Sequence, residues 1–305
     1  MHIFKKTNLN FIGIRNQMYY LSTAVIVAGL LSLLIRGIDL GIDFKGGTEI
    51  VLRFDQVMDA ADIRSALGKK DLGQSEIKSF GSPKDVLIRT TEQGEGTVVG
   101  EKIKAALQEA FPDRKFEVLK EDKIGPKIGK ELRRDAFYAI IASLIAILLY
   151  VGLRFKFVYG VGGVVALFHD VLVTLGIMSL LNGVIPGLNL EITQEVIAAF
   201  LTLVGVSIND TVVVFDRIRE NIKIYRSMAL SDIVNRSLND MLGRTIITNG
   251  TIFSVLLVLL LFGGEVTRGF AFAMTIGSIV GTYSSIYIAS AIVVDWSLRK
   301  RKTAK

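Results

Sequence analysis

Six apolar runs, each long enough to cross a bilayer, constrain this chain more than any other feature of its sequence. They cover residues 18–35, 136–153, 158–181, 195–215, 245–262 and 270–294. A helix rises about 1.5 Å per residue, so about 20 apolar residues span the roughly 30 Å hydrocarbon core of a membrane. Hydrophobic residues make up 50% of the 305, which suits an integral membrane protein. We therefore predict an α-helical membrane protein with six transmembrane helices.

Lysine and arginine are distributed unevenly, which predicts the orientation of the bundle. Sixteen of them lie at one set of ends, within 1–17, 154–157, 216–244 and 295–305. The opposite short loops carry only Arg268. By the positive-inside rule both termini are cytoplasmic and the long polar stretch 36–135 is translocated. The formal charge of +7 is thus explained by topology rather than by nucleic acid, and the basic tail 295–305 is a stop-transfer anchor or a contact with anionic membrane lipid.

The translocated stretch 36–135 alternates strand and helix signals. Strands are predicted at GTEIVLRF, SEIKSF, DVLIRT and KFEVLKE, with helices from Met58 and from Gly96 to Ala110. This β-α-β-β-α-β order predicts a ferredoxin-like α+β domain with both helices on one face of an antiparallel sheet. The stretch has no histidine and its carboxylates are spread along it, so we expect a binding or mechanical role without metal or cofactor. The chain has no cysteine, which excludes thiolate chemistry.

Paired glycines, Gly46 and Gly47, stand just before the first predicted strand, in GIDFKGGTEI. Glycine adopts positive φ without steric cost. The pair therefore predicts either a hinge with a close backbone contact or a simple turn between helix and strand.

Asp210 lies inside the apolar half of the fourth span, where a charge costs about 2.5–3.5 kcal/mol. Helical spacing predicts that Ser207 and Thr211 flank it on one stripe. At the start of the fifth span, Arg244, Thr248 and Thr251 form a similar stripe. Two interpretations follow: a static buried ion pair of Asp210 with Arg244, or a carboxylate that protonates in one conformation and pairs with arginine in another.

A second carboxylate, Asp170, lies near the middle of the third span and follows His169. Adjacent helical residues point about 100° apart, so we expect the ring and the carboxylate to lie on different faces. Asp170 either relays protons with His169 or accepts hydrogen bonds from hydroxyls on another helix.

Two further stretches have structural interpretations. Residues 216–227 are basic and predict an amphipathic helix at the lipid headgroups. The sixth span carries small residues at helical spacing, including Gly277 and Gly281 in a GxxxG pattern, which predicts close helix packing.

Five motifs together resemble one known family. They are DFKGGT after the first span, FHD in the third, SINDTVVVFDRIREN in the fourth, GRTIITNGT into the fifth and LFGG after it. In this order, over nearly the whole chain, they resemble the SecF family, subunits of the bacterial SecDF accessory complex of the Sec translocon. The resemblance implies an RND-like half-transporter that is not an enzyme.

The resemblance also implies partners and a mechanism. The half would pair with SecD around a pseudo-twofold axis in the bacterial inner membrane, beside the SecYEG translocon, with YajC and YidC as further partners. Proton influx would help to move preproteins outward, with protons as the coupling ion and no cofactor. The family's aspartate in IND maps to Asp210, and its arginine at the start of the next span maps to Arg244.

Three other functions fit parts of the sequence. An RND-type exporter of lipids or small molecules would normally contain two six-helix halves, whereas one is predicted here. An intramembrane aspartyl protease needs two facing membrane aspartates, for which Asp170 and Asp210 are available, but its GxGD motif is replaced by SIND. A non-transporting assembly factor would show no proton dependence.

Overall fold

The computed structural model of the chain describes residues 7–92, 98–155, 157–185 and 188–303. Six helical segments within these ranges are long and apolar enough to span a membrane, which confirms the predicted number. They are α1 (Arg15–Arg36), α5 (Pro126–Arg154), α6 (Phe157–Leu181), α7 (Gln194–Ile224), α8 (Leu230–Phe262), and α9 (Gly264–Ser284), which continues through a π-helical turn (Ser285–Ala289) into α10 (Ser290–Thr303). Of the basic residues that predict the orientation, Lys5, Lys6, Lys156 and Lys305 and the side chains of 300–302 lie outside the described residues.

The remaining elements form one α+β domain between α1 and α5. They are α2 (Ile42–Lys45), β1 (Gly47–Phe54), α3 (Ala60–Gly68), β2 (Glu76–Phe80), β3 (Ser82–Thr90), α4 (Val98–Ala110) and β4 (Phe116–Ile124). The strands are antiparallel in the order β2-β3-β1-β4. Ile50 and Ile88 of the sheet pack against Ile63 and Leu107 of the helices. The predicted ferredoxin-like fold is confirmed.

Several helices extend beyond their apolar runs. The predicted domain limit at residue 135 falls inside α5, which begins at Pro126 directly after the sheet ends at Ile124. Likewise, α7 runs on to Ile224 and α8 begins at Leu230. Hydropathy detects only the part of a helix that suits lipid, so the polar turns at these ends were not assigned to helices.

The helices of the bundle differ in how much they are covered. Most of α9 with its continuation is buried, and α6 and α7 are partly buried. By contrast, α5 and α8 are largely exposed along their apolar windows. Apolar faces of this size suit lipid or another membrane-embedded partner.

Small residues allow the central helices to approach closely. A Cβ on Gly277 of α9 would lie 2.5 Å from the Leu203 side chain, and one on Gly281 would lie 3.2 Å from Ser207. Gly29 of α1 and Gly176 of α6 meet backbone to backbone. The predicted close packing through the GxxxG pattern is therefore confirmed.

Residues 216–227 are helical as far as Ile224, and the inner face of this segment packs against the extension of α8. Its location at the lipid headgroups stays a prediction. Ile218 and Asn221 are buried, and Asn221 donates to Ser237 at 2.9 Å. Arg217 forms an ion pair with Asp240 at 2.7 Å. The two helices thus form a hairpin that supplies its own partners for these polar groups.

Candidate functional site

Asp210 of α7 is a buried carboxylate bonded to neutral groups. Its side chain accepts from the Ser285 hydroxyl at 2.9 Å and from the Asn249 amide at 3.3 Å. The residue is only 9% exposed. Serine and asparagine can hydrogen-bond either protonation state of a carboxyl group, because hydroxyls and amides both donate and accept.

Among the described residues, Asp210 and Arg244 form no direct ion pair, although the charge of Arg244 acts on the carboxylate. Arg244 and Thr248 lie on the exposed face of α8. The side chain from α8 that reaches Asp210 is Asn249, five positions after Arg244 and therefore about 140° around the helix. The carbonyl oxygen of Thr248 accepts from the Thr251 hydroxyl at 2.7 Å.

The two hydroxyls predicted beside Asp210 do not bond to it. Ser207 donates to Asp170 instead, at 2.5 Å. Thr211 is buried and its hydroxyl has no hydrogen-bond partner among the described residues. Helical spacing correctly placed both on the inner face, but it does not determine which neighbouring helix supplies the nearest acceptor.

Asp170 of α6 lies at the centre of a second polar cluster. It is 1% exposed, and its Oδ2 accepts from Ser207 and from Ser284 at 2.5 and 2.8 Å. The prediction that Asp170 accepts from hydroxyls on other helices is confirmed. The prediction that His169 points away is wrong, since its Nδ1 lies 3.0 Å from Oδ1 of Asp170. Rotation about the side-chain bonds brings the two neighbours together.

His169 connects this cluster to α1. Its Nε2 lies 2.9 Å from the Ser22 hydroxyl, which lies 2.9 Å from the Tyr283 hydroxyl. Tyr283 in turn donates to the carbonyl oxygen of Met18 at 2.7 Å. Three helices, α1, α6 and α9, therefore meet through one chain of hydrogen bonds.

Two adjacent serines serve the two carboxylates. Ser284 donates to Asp170 and Ser285 donates to Asp210. Ser285 begins the π-helical turn, a rare element that widens the helix locally and is frequent at functional sites. The small-residue pattern of the sixth span predicts packing only and does not indicate Ser284, Ser285, Asn249 or Ser22 as partners, because a single polar residue within an apolar run gives no signal of what it contacts.

A cluster of charged side chains joins the α+β domain to the loop between α6 and α7. The Arg89 guanidinium contacts Glu49 of the sheet at 2.6 Å and Glu191 of the loop at 2.7 Å. Lys78 also contacts Glu191, at 2.8 Å. Backbone bonds add to this contact, since Ile192 donates to the Asp39 carbonyl oxygen at 2.8 Å.

The expectation that carboxylates would be spread is wrong at this point. Asp39, Glu76 and Glu191 bring three carboxylate oxygens within 4.8 Å of one another. Lys78 lies between them, with contacts of 3.6, 2.6 and 2.8 Å respectively. An ammonium group thus provides the positive charge that a metal ion would otherwise supply.

The charges in this cluster stabilise one another's ionised forms. Burial alone would raise the pKa of Asp39, but the hydrogen bond from Lys45 and the charge of Lys78 outweigh it and hold the pKa below its usual range. Burial would lower the pKa of Lys78, yet its bonds to Glu191 and Glu76 raise it. These groups therefore act as a charged network at neutral pH.

The glycine pair stands where α2 turns into β1. Gly46 and Gly47 have φ of 74° and 126°, which confirms the conformational reason for glycine. A Cβ on Gly47 would lie 2.2 Å from the Thr90 carbonyl oxygen, so the close backbone contact is also confirmed. Just before the pair, Asp43 accepts from the backbone N–H of Gln194 at the start of α7. A hinge role for the two glycines stays a prediction.

The fold and this site define a class of protein: a six-helix membrane bundle with one ferredoxin-like domain and carboxylates at its centre. A family model described as "Protein export membrane protein SecD/SecF, C-terminal" matches residues 102–299, and one described as "SecD/SecF GG Motif" matches residues 31–56. The chain belongs to the SecF family of protein translocase subunits, which are multi-pass proteins of the bacterial inner membrane.

Relatives of similar length support this membership. The protein translocase subunit SecF of Rhodothermus marinus is 45% identical over 305 residues, which is 100% of this chain and 98% of the relative. The corresponding subunit of Calditerrivibrio nitroreducens is 41% identical over 300 residues, covering 97% of this chain and 96% of the relative.

Two solved structures of SecDF also resemble this chain. The crystal structure of SecDF from Thermus thermophilus, described as a translocon-associated membrane protein, matches with a TM-score of 0.84 and 37% identity over 96% of this chain. SecDF in a super-membrane-facing form matches with a TM-score of 0.71 and 36% identity over 99% of this chain. This chain spans only 39% and 40% of those two longer chains.

Proposed function

We propose that this protein is a proton-coupled subunit that assists preprotein movement through the Sec translocon, and that Asp210 carries the proton. SecD is its membrane partner and SecYEG the translocon, with YajC and YidC as further neighbours. Both termini face the cytoplasm and the α+β domain faces the outside, in keeping with the positive-inside distribution of lysine and arginine.

The observation that carries this proposal is that both hydrogen-bond partners of Asp210 are neutral side chains, while Arg244 acts on it through its charge without an ion pair among the described residues. A static ion pair would place a cation against the carboxylate, whereas Asp210 is held by Ser285 and Asn249. An ionised carboxylate is costly at such depth, and a protonated one can be held by the same two partners. The setting therefore favours a group that can gain and lose a proton.

The position of Arg244 supports a second state. It lies on the exposed face of α8, which suits contact with a partner half of the transporter. A movement of α8 that brought Arg244 to Asp210 would stabilise the ionised form, because a nearby positive charge favours a carboxylate. Each proton that crosses the membrane supplies about 2.3 kcal/mol per 100 mV for such movements.

The proposal is tested with Asp210→Asn in the full complex. Asparagine keeps the size and hydrogen bonding of aspartate but cannot ionise, so gradient-dependent secretion should fall to the level without a gradient at normal membrane abundance. The matched control is Asp216→Asn on the same helix, whose side chain is 40% exposed and pairs with Arg154 at 3.4 Å. Its secretion should be unchanged.

A double variant separates this function from a structural pair. Arg244→Met alone should also abolish gradient-dependent secretion. If Asp210 and Arg244 only held helices together, neutralising both would restore abundance and secretion together. Full secretion by the double variant would overturn the proposal.

A further inference from the structure

The segment between α1 and the sheet, residues 37–46, is bonded to the chain just before α7, and we call it the connector. Gly41 donates its backbone N–H to the Ile192 carbonyl oxygen at 2.9 Å, and Ile192 donates to that of Asp39 at 2.8 Å. Leu40 and Ile192 pair across an isolated parallel β-bridge. Backbone bonds in both directions thus fix the connector beside a residue that lies two positions before α7.

The connector also supplies a helix cap for α7. The backbone N–H groups in the first turn of a helix have no partner within the helix. Asp43 accepts from that of Gln194 at 2.8 Å, while Thr193, the residue before the helix, accepts from that of Val196 at 3.4 Å. A carboxylate is favoured at this end because the helix dipole is positive there. One cap is therefore local to α7, and the other belongs to the connector.

The short helix α2 within the connector contacts both α7 and α5. Phe44 of α2 is 4% exposed and belongs to the same apolar cluster as Ile192 and Val196. Arg133 of α5 donates to the Phe44 carbonyl oxygen at 2.6 Å. Because β1 follows α2 and α5 follows β4, the connector, the sheet and the start of α5 form one outer unit seated on the start of α7.

The helix that is held in this way is also the helix that carries Asp210. It is continuous from Gln194 to Ile224, and its capped end lies about 24 Å of helical rise from Asp210. At that depth Asp210 is bonded to Asn249 of α8 and to Ser285 of α9. A shift of α7 against α8 and α9 would therefore also displace its capped end, together with the residues bonded to it.

We propose that the contacts of the connector with the start of α7, which we call the link, pass movement at Asp210 to the α+β domain, with Asp43 as a positioning residue. The inference rests on the proposed function, in which Asp210 gains and loses a proton. Each change alters the bonds of Asp210 to α8 and α9, so α7 shifts against those helices and the link carries the α+β domain with it. The link stays closed throughout the cycle, and an open link lets protons cross without moving the domain.

Asp43→Ala in the full complex tests the link, because it separates proton uptake from export. In liposomes with an imposed gradient, a pH-sensitive dye measures proton uptake and protease-protected preprotein measures export. Loss of one helix cap should raise the opening equilibrium of the link about 2- to 30-fold. Export per proton taken up should therefore fall at least twofold while proton uptake is retained. Asp43→Asn keeps an oxygen that can accept from Gln194, and it should restore the ratio.

The matched control is Asp59→Ala, which removes a cap of the same kind within the α+β domain. Asp59 precedes α3 and accepts from the backbone N–H of Ala61 at 2.7 Å. It lies outside the connector, so export per proton should be unchanged. Equal ratios for Asp43→Ala and Asp59→Ala would overturn the inference. A loss of proton uptake in Asp43→Ala would also overturn it, because the cap would then support the membrane site and not transmission from it.

A disulfide across the bridge between Leu40 and Ile192 tests whether the link stays closed. Paired strands lie about 4.8 Å apart, a separation that a disulfide can span, and the chain has no cysteine of its own. The oxidised double variant Leu40→Cys, Ile192→Cys should export at the rate of its reduced form, and oxidation should restore the ratio to Asp43→Ala. Export that stops on oxidation and returns on reduction would show that the link must open, which contradicts the inference. Failure of the pair to oxidise would contradict the bridge on which it rests.

Asp210→Asn distinguishes a failure of this inference from a failure of the proposed function. If Asp210→Asn stops proton uptake and export while Asp43→Ala keeps the normal ratio, the inference is wrong and the proposed function stands. If Asp210→Asn takes up protons and exports normally, the proposed function fails and the inference fails with it. Should Asp43→Ala not accumulate, the disulfide variant decides.

Discussion

Replacing Arg89 by methionine tests how the α+β domain is held on the bundle. The Arg89 side chain is 6% exposed and contacts Glu49 and Glu191, which are 6% and 5% exposed. Removing one partner of a buried ion pair costs about 3–5 kcal/mol, because an uncompensated charge remains. Lys120 and Lys78 still neutralise the two carboxylates, so we expect the lower end of this range.

The assay is hydrogen exchange of the backbone amides that join the loop to the domain. Ile192 donates to the Asp39 carbonyl oxygen and Gly41 donates to that of Ile192, at 2.8 and 2.9 Å. A loss of about 3 kcal/mol corresponds to roughly a hundredfold increase in the opening equilibrium, and exchange at these amides should accelerate by that factor.

A matched control is available on the same sheet. Arg53 donates two hydrogen bonds to the carboxylate of Asp85, which also lies on the sheet. The Arg53 side chain is 52% exposed, and this ion pair does not involve the loop between α6 and α7. Arg53→Met should leave exchange at Ile192 unchanged. If Arg89→Met changed that exchange less than twofold, the charged cluster would not be what holds the domain to the loop.

Three further predictions concern pH, topology and packing. The pKa of Asp39 is lowered and that of Lys78 is raised, so docking of the α+β domain on the loop should be complete between about pH 4 and 10. Docking should weaken below this window as Asp39 protonates and above it as Lys78 deprotonates. Hydrogen exchange at the loop amides, measured as a function of pH, checks this. In intact cells an impermeant thiol reagent should label Gln74→Cys and spare Ser227→Cys, both at exposed positions of a cysteine-free chain, and the reverse pattern would refute the orientation. Gly29→Val should lower the melting temperature through overpacking of about 1–3 kcal/mol, because a Cβ there would lie 2.5 Å from the backbone of α6; an unchanged melting temperature would contradict the close crossing.

Element types were predictable because hydropathy and alternation are local properties. All six spans and the order of the α+β domain followed from the sequence. The ends of α5, α7 and α8 did not follow from the sequence. They lie beyond the apolar runs and are stabilised by contacts with other protein segments, which hydropathy does not detect.

The site was predictable only in part. Asp210 stood out as a charge in an apolar segment, but its partner on α8 was assigned to Arg244 by charge, whereas Asn249 occupies the facing position. The contact between His169 and Asp170 depends on side-chain rotation, which helical phase does not determine. The ion pair of Glu191 with the sheet joins residues far apart in sequence, and a single chain gives no signal for it.

Proton flux through the reconstituted complex tests the central claim most directly. Liposomes containing the complex and a pH-sensitive dye receive an imposed proton gradient, and uptake is compared among the unaltered protein, Asp210→Asn and Asp216→Asn. If Asp210 carries the proton, Asp210→Asn should abolish protein-dependent uptake while Asp216→Asn keeps it. Equal uptake in all three would contradict the account.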